Sequence, residues 1–148
     1  MLILVVGGYA LLAGGTQRFS LPEISGYDQP SSVSGWAYVR DGDTIEVGGV
    51  AVRLQGLHCP EAGEPGGSAA TTAMRRLIDS DRVTCALTGE RTYDRIVGTC
   101  HVGDTDLTAA LIREGVCARC PRYDPWKRYL PAQLQAGSWQ GSMPGYCR

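Results

Sequence analysis

The sequence predicts an α+β fold, a five-stranded Greek-key β-barrel of the OB class carrying two or three helices. Three observations predict it. Strand and helix signals run in the order three strands, helix, two strands, helix, which is the order of that barrel. The pair Gly48-Gly49 lies between two alternating apolar segments and marks a tight hairpin. The 148 residues, 43% of them hydrophobic, suffice for one domain around one core.

Met1 to Gly15 is almost wholly apolar. It is shorter than the about 20 residues of a membrane span. It suits the apolar part of a secretory signal, with Ala13-Gly14-Gly15 as small residues for cleavage, although no Lys or Arg precedes it. Two expectations follow, a signal peptide or an uncleaved N-terminal anchor, and both place the protein outside the cytoplasm, secreted or periplasmic. Residues 16–34, with Pro22, Gly26, Pro30 and Ser31-Ser32, read as a linker. The folded domain is expected over residues 35–123, and residues 124–148 as a C-terminal segment pinned to it by a disulfide.

Within the domain, Trp36 to Arg40 and Thr44 to Val47 alternate as strands. Val50 to Leu57 is the third strand; Val50, Val52 and Leu54 share one face, and Arg53 points to the other. Glu64-Pro65-Gly66-Gly67 leads into a helix over Ala69 to Ile78, with Ser68 as its cap and Met74, Leu77 and Ile78 on its buried side. Val83 to Leu87 and Ile96 to Val102 are strands joined by a loop holding Tyr93 and Arg95. Asp106 caps a second helix through Leu107, Leu111 and Ile112, stopped by Gly115. A third, shorter helical segment spans Trp126 to Ala136, with Pro131 interrupting it.

The formal net charge of −1 excludes a global cationic field that would draw in nucleic acid from a distance, but permits a local basic cleft. All but Lys127 of the 14 basic residues are Arg, the side chain suited to bidentate phosphate contacts. Six cysteines behind an export-type segment point to disulfides; a zinc site would want paired clusters, and only Cys117 and Cys120 have that spacing. Cys85 and Cys100 fall nearly opposite each other on adjacent strands, close enough to bridge. A bond between Cys120 and Cys147 would tie down the C-terminus. Cys59 and Cys117 could pair, or Cys117 could replace Cys120, because six cysteines allow 15 connectivities by count.

The chemistry is concentrated in a short stretch. Asp41-Gly42-Asp43-Thr44, Arg53 and Leu57-His58-Cys59-Pro60-Glu61 bring carboxylates, an Arg and a His together, and Tyr93-Asp94-Arg95 adds a second Arg. Carboxylates with His can hold a divalent metal. Two Arg forks suit a phosphate, and a spare Glu can act as general base. Each has a plainer role to set beside it. Arg53 can be a solvated strand residue, Arg95 the partner of Asp94, and Tyr93 and Tyr123 half-buried packing residues.

These motifs in this order, with a helix ending at Glu114-Gly115, resemble the staphylococcal (thermo)nuclease family over about residues 35–123. The resemblance implies a nuclease-like OB barrel that hydrolyses DNA or RNA phosphodiesters on the 5′-oxygen side, leaving 3′-phosphates, and that acts as a monomer with nucleic acid as its partner. It assigns Glu61 to positioning or deprotonating water, and Arg53 and Arg95 to clamping phosphoryl oxygens. Asp43 and the Cys59 backbone carbonyl become metal ligands, Asp41 orients them, and Tyr93 and Tyr123 meet a base or a phosphate. The family has Asp where His58 stands, and its metal is Ca²⁺. Imidazole in that place suits Mn²⁺ or Zn²⁺, so His58 is expected either as a ligand to such an ion or as a ring that only hydrogen-bonds within its loop and leaves the metal site weakened. The alternative expectation is a catalytically impaired module that binds nucleic acid or another envelope ligand without cutting.

Overall fold

A computed structural model describes residues 31–79 and 81–148. The expected signal or anchor segment, and the linker as far as residue 30, lie outside the described residues. In chain order the elements are β1 (Ser32–Gly35), β2 (Ala37–Asp41), β3 (Thr44–Val47), β4 (Val50–Leu54), β5 (Leu57–His58), α1 (Gly67–Leu77), β6 (Val83–Thr92), β7 (Arg95–Val102), β8 (Thr105–Asp106), α2 (Leu107–Arg113), β9 (Ala118–Arg119) and α3 (Leu130–Ala136). Two 3₁₀ turns, Pro121–Tyr123 and Gly145–Cys147, complete the list.

The main sheet is mixed and runs β1-β6-β7-β4-β3-β2, with β8 paired to β7. Its ladders are antiparallel except that between β4 and β7, which is parallel. The two ends of the path, β1 and β2, are consecutive in the chain and meet at Trp36. One kinked strand thus supplies both edges, and the sheet curls around a core of Ile45, Val52, Leu54, Met74, Leu107 and Leu111. Counting that kinked strand once, the five expected strands are all present, and the arrangement is α+β. The smaller β5–β9 pair joins the loop after β4 to the loop after α2.

Several boundaries differ from expectation: β6 runs on to Thr92, β7 already includes Arg95, which was expected in the loop, and α3 starts only at Leu130. Ser32–Gly35 belongs to the sheet rather than to a linker, pairing Ser32 with Ala86 and Gly35 with Val83. Its serines read as linker because they are small and polar, but Ser34 Oγ lies 3.0 Å from Thr84 Oγ1, a cross-strand pair that only the ladder creates. The third strand stops at Leu54, because Gly56 adopts φ 69° and turns the chain toward β9. A Cβ there would come within 2.9 Å of the Tyr129 ring, so this corner requires glycine for space as well as for φ. Helix α1 begins at Gly67, two residues before the expected Ala69, with Gly66 at φ 91° in the cap position instead of Ser68 and no side-chain cap. Pro131 opens α3 rather than interrupting it; in the first turn its missing N–H has no helical partner to lose.

Other local signals hold. Gly48 and Gly49 both have positive φ, as a two-residue hairpin with the twist of its strands demands. Asp106 accepts a 3.1 Å bond from Ala109 N–H and caps α2. Downstream, buried Asp124 organises the chain around α3. Its carboxylate accepts from Arg119 Nε at 2.6 Å, Arg128 N at 2.8 Å and Tyr129 N at 3.0 Å.

Three disulfides join Cys59 to Cys117, Cys85 to Cys100 and Cys120 to Cys147, with no free cysteine among the described residues. Such usage belongs to an oxidising or extracellular compartment. Cys85 and Cys100 are direct cross-strand partners in the β6–β7 ladder. Closing that loop stabilises by about 3 kcal/mol in the chain-entropy model. The Cys85→Ala/Cys100→Ala double variant is therefore expected to unfold at lower urea by roughly that free energy while remaining folded without urea. Unchanged urea midpoints would show that the bridge contributes nothing.

Candidate active site

The site begins with strand parity. In β4, Val52 and Leu54 face the core, and Arg53 emerges on the opposite face between its ladder partners Thr44 of β3 and Val97 of β7. A guanidinium half-buried in a sheet needs a counter-charge. Asp43 supplies it: the carboxylate is 5% exposed and forms an ion pair with Arg53 Nη1. Arg53 Nη2 also donates to the Leu57 carbonyl at 3.3 Å.

The second arginine is tied to the same carboxylate. Thr44 Oγ1 donates to Asp43 Oδ1 at 2.9 Å and accepts from Arg95 Nη1 at 3.1 Å. Arg53, Asp43, Thr44 and Arg95 thus form one continuous polar chain. Asp41 Oδ1 accepts from the Asp43 backbone N–H at 3.1 Å and fixes the turn from which it starts. Burial, then the neighbouring Asp43 charge, holds the Asp41 carboxyl above its ordinary range. The turn packs tightly: a Cβ on Gly42 would lie 2.7 Å from Ala70 Cβ and 2.8 Å from Cys59 Cβ. Arg95 is not the partner of Asp94, which bonds Arg40 at 2.7 Å on the outer face.

Arg53 and Arg95 line a cleft of about 510 Å³, together with Glu61, Tyr93, Tyr123 and Tyr146. Glu61 is exposed and stands on the loop between β5 and α1. That loop is braced. The Glu61 N–H donates to Glu64 Oε2 at 2.9 Å, and the Glu61 carbonyl accepts from Glu64 N at 2.9 Å. Gly67 passes so close to the Glu61 carbonyl that no Cβ fits there. Tyr93, 93% exposed, occupies the β6–β7 turn with φ 56°, and the Arg95 guanidinium lies 5.9 Å from its ring centroid. A positive φ at a tyrosine is strained backbone of the kind that accumulates at working sites.

Sequence reasoning placed Arg53, Glu61, Arg95, Tyr93 and Tyr123 together, and all five border this cleft. Asp43 and Asp41 lie behind it. His58 lies against the C-terminal segment, in a hydrogen-bonding role, and does not border the cleft. It is 6% exposed, its Nδ1 is 3.3 Å from the Tyr146 hydroxyl, and its ring meets Trp139 edge-on at 5.4 Å. The imidazole is thus occupied by the C-terminal segment. It borders a second cavity with Trp139 and Glu64, not the arginine cleft. Cys59 is buried and its sulfur is bonded to Cys117. Among the described residues, no three His, Cys, Asp or Glu converge as a metal cage.

Tyr146, Trp139 and the bridging role of Thr44 were missed from sequence. Tyr146 could have been found: it precedes Cys147, and the expected Cys120–Cys147 bond brings it beside Tyr123.

Residues 51–138 match the family described as "Staphylococcal nuclease homologue". The match includes Arg53, His58, Glu61, Arg95 and Tyr123; the Asp41–Thr44 turn precedes it and Tyr146 follows it. A curated relative, the succinoglycan biosynthesis protein ExoI of Rhizobium meliloti (strain 1021), is 35% identical over 95 residues, 56% of this chain and 50% of the relative. The chain therefore spans about half the length of the curated relative it matches.

Burial lowers the His58 pKa; the Asp43 charge opposes that shift and the Arg53 charge adds to it. The unfolded chain consequently binds the His58 proton at higher pH than the folded one. Stability from the neutral ring is full above the ordinary imidazole range and is lost as pH falls through the lowered value. His58→Phe, which keeps an aromatic ring but no titration, should show a shallower loss of urea stability on acidification than the parent. Parallel stability–pH curves would exclude this role for His58.

Proposed function

The chain belongs to the staphylococcal nuclease homologue family, and from that premise we propose that its arginine cleft hydrolyses phosphodiester bonds of nucleic acid. The observation that carries this reading is the convergence of Arg53, Arg95 and Glu61 on one cleft, with both guanidinium groups oriented by Asp43 and Thr44. A guanidinium has five N–H donors. The bonds to Asp43, Leu57, Thr44 and Thr92 leave each fork with donors to spare. Two such forks hold the nonbridging oxygens and stabilise the extra charge of a trigonal-bipyramidal transition state. Glu61, on its braced loop, orients a water in line with the leaving oxygen and removes its proton. The three disulfides support placing this activity in a secreted or periplasmic protein.

A divalent ion is part of the proposal. The neighbouring Asp41 and Asp43 carboxylates, linked through the Asp43 backbone N–H, are hard oxygen donors with the chemistry to hold such a cation. With no third His, Cys, Asp or Glu converging on them among the described residues, the remaining ligands would be water and phosphate oxygens. That pattern suits Mg²⁺ or Mn²⁺, which bind through one or two carboxylates plus substrate, rather than a Ca²⁺ cage of about six to eight oxygens. His58 lines the second cavity rather than the arginine cleft, so this reading does not use it as a ligand. When bound, such an ion supplies charge stabilisation to the phosphoryl group and acidifies its bound water. The sparse donor set also supports a second reading, a module that binds nucleic acid without cutting it. The relative's printed role in succinoglycan biosynthesis adds the prospect that the fold serves polysaccharide production.

Glu61→Gln removes the base and keeps the shape. It is expected to lower kcat by about 10²–10⁴-fold while binding of an oligonucleotide stays near that of the parent. Retained turnover would remove Glu61 from the mechanism. Arg95→Lys keeps the charge but loses the planar fork, and should lose turnover too. Near-parental kinetics in that variant would mean the fork is not used. Initial rates on single- and double-stranded DNA and RNA, at fixed ionic strength, should be higher with Mg²⁺ or Mn²⁺ than with Ca²⁺. A parent saturated by micromolar Ca²⁺ would contradict the proposed ion set, and a parent that binds but never cuts would favour the second reading.

A further inference from the structure

We propose that Tyr146 is a substrate-binding residue of the cleft, presenting its ring to a nucleobase beside the phosphate held by Arg53 and Arg95. The inference rests on the phosphodiester reading of the cleft and adds a wall to it that lies beyond the residues matching the family.

Four observations place that wall. Tyr146 lines the same cleft as Arg53, Glu61 and Arg95 and is 45% exposed. Its hydroxyl is engaged, 3.3 Å from His58 Nδ1, so the ring is what remains free to meet a ligand. The Cys120–Cys147 bond joins the 3₁₀ turn that carries Tyr123 to the one that carries Tyr146, so the two tyrosines stand on one side of the cleft. The segment between them rests on His58, whose ring meets Trp139 edge-on at 5.4 Å. His58 is thereby a clasp for the tail, which accounts for a buried imidazole that the hydrolytic residues do not use.

The chemistry of the wall selects its ligand. Tyr93, Tyr123 and Tyr146 are three exposed or half-exposed rings around two guanidinium groups. Charged forks take the phosphate, and flat π faces take unstacked bases regardless of their identity. A chain with net charge −1 has no broad cationic surface to track a backbone, so ring contacts beside the phosphate carry a larger share of affinity.

The test uses the oxidised full chain with a short single-stranded oligonucleotide, measuring both its Kd by direct titration in the Glu61→Gln background and the steady-state kinetics of otherwise unaltered protein. Tyr146→Ala is expected to weaken Kd and raise KM by about ten-fold, with kcat nearly unchanged. Tyr146→Phe keeps the ring and should bind within about two-fold of the parent, a rescue that a purely structural role of the hydroxyl would not give. Cys120→Ser/Cys147→Ser releases the tail and should raise KM as Tyr146→Ala does; melting curves recorded beside each titration exclude global unfolding as the cause. Equal Kd in parent and Tyr146→Ala, or equal losses in Tyr146→Ala and Tyr146→Phe, overturns the proposal and leaves the phosphodiester reading standing. A parent that neither binds nor cuts overturns that reading, and this inference with it.

Discussion

One buried carboxylate holds the site together. Asp43 sits at 5% exposure with Arg53 on one oxygen and the Thr44 hydroxyl on the other, and Thr44 in turn accepts from Arg95. Each link needs the next. An unpaired carboxylate at that depth is costly, and so is a half-buried guanidinium. The consequence is that the two forks are fixed in place before any ligand arrives. Preorganised donors of this kind are what a charged transition state rewards, because no reorganisation is required when the charge develops.

The rest of the cleft is assembled from loops, and each is stiffened by a different device. The Pro60–Glu61 loop is braced by Glu64 and by the close passage of Gly67. The β6–β7 turn accepts positive φ at Tyr93 and is closed below by the Cys85–Cys100 bond. The C-terminal wall is held by Cys120–Cys147 and by the His58 clasp. A domain of this size has a modest core, so covalent links between loops take over part of what packing does in larger proteins. Cys120–Cys147 serves position as well as stability, because it ends beside Tyr146 of the cleft.

His58 shows how one side chain can change the logic of a familiar scaffold. In the family that this chain belongs to, a carboxylate at this place would add an anionic oxygen near Asp43. Here a neutral ring faces Tyr146 and Trp139. The ring gives the C-terminal tail an attachment point. The cleft is left with two carboxylates behind its arginines and three tyrosines on its rim.

By itself, the sequence determined the elements whose signals are local. The hairpin glycines Gly48-Gly49, the Asp106 cap, the outward parity of Arg53 and the opposition of Cys85 to Cys100 each depend on neighbours a few residues away or on one ladder. The grouping of Arg53, Glu61 and Arg95 was legible from their motifs. Only the tertiary structure decided that Ser32–Gly35 completes the sheet, that Pro131 begins a helix, and that His58 faces Tyr146 across 88 residues of sequence. Periodicity reports which face of an element is apolar, not which distant segment will cover it. That choice was made by the unpaired edge of β6 and by the Asp124 carboxylate gathering its donors, neither of which is written in the spacing of residues alone.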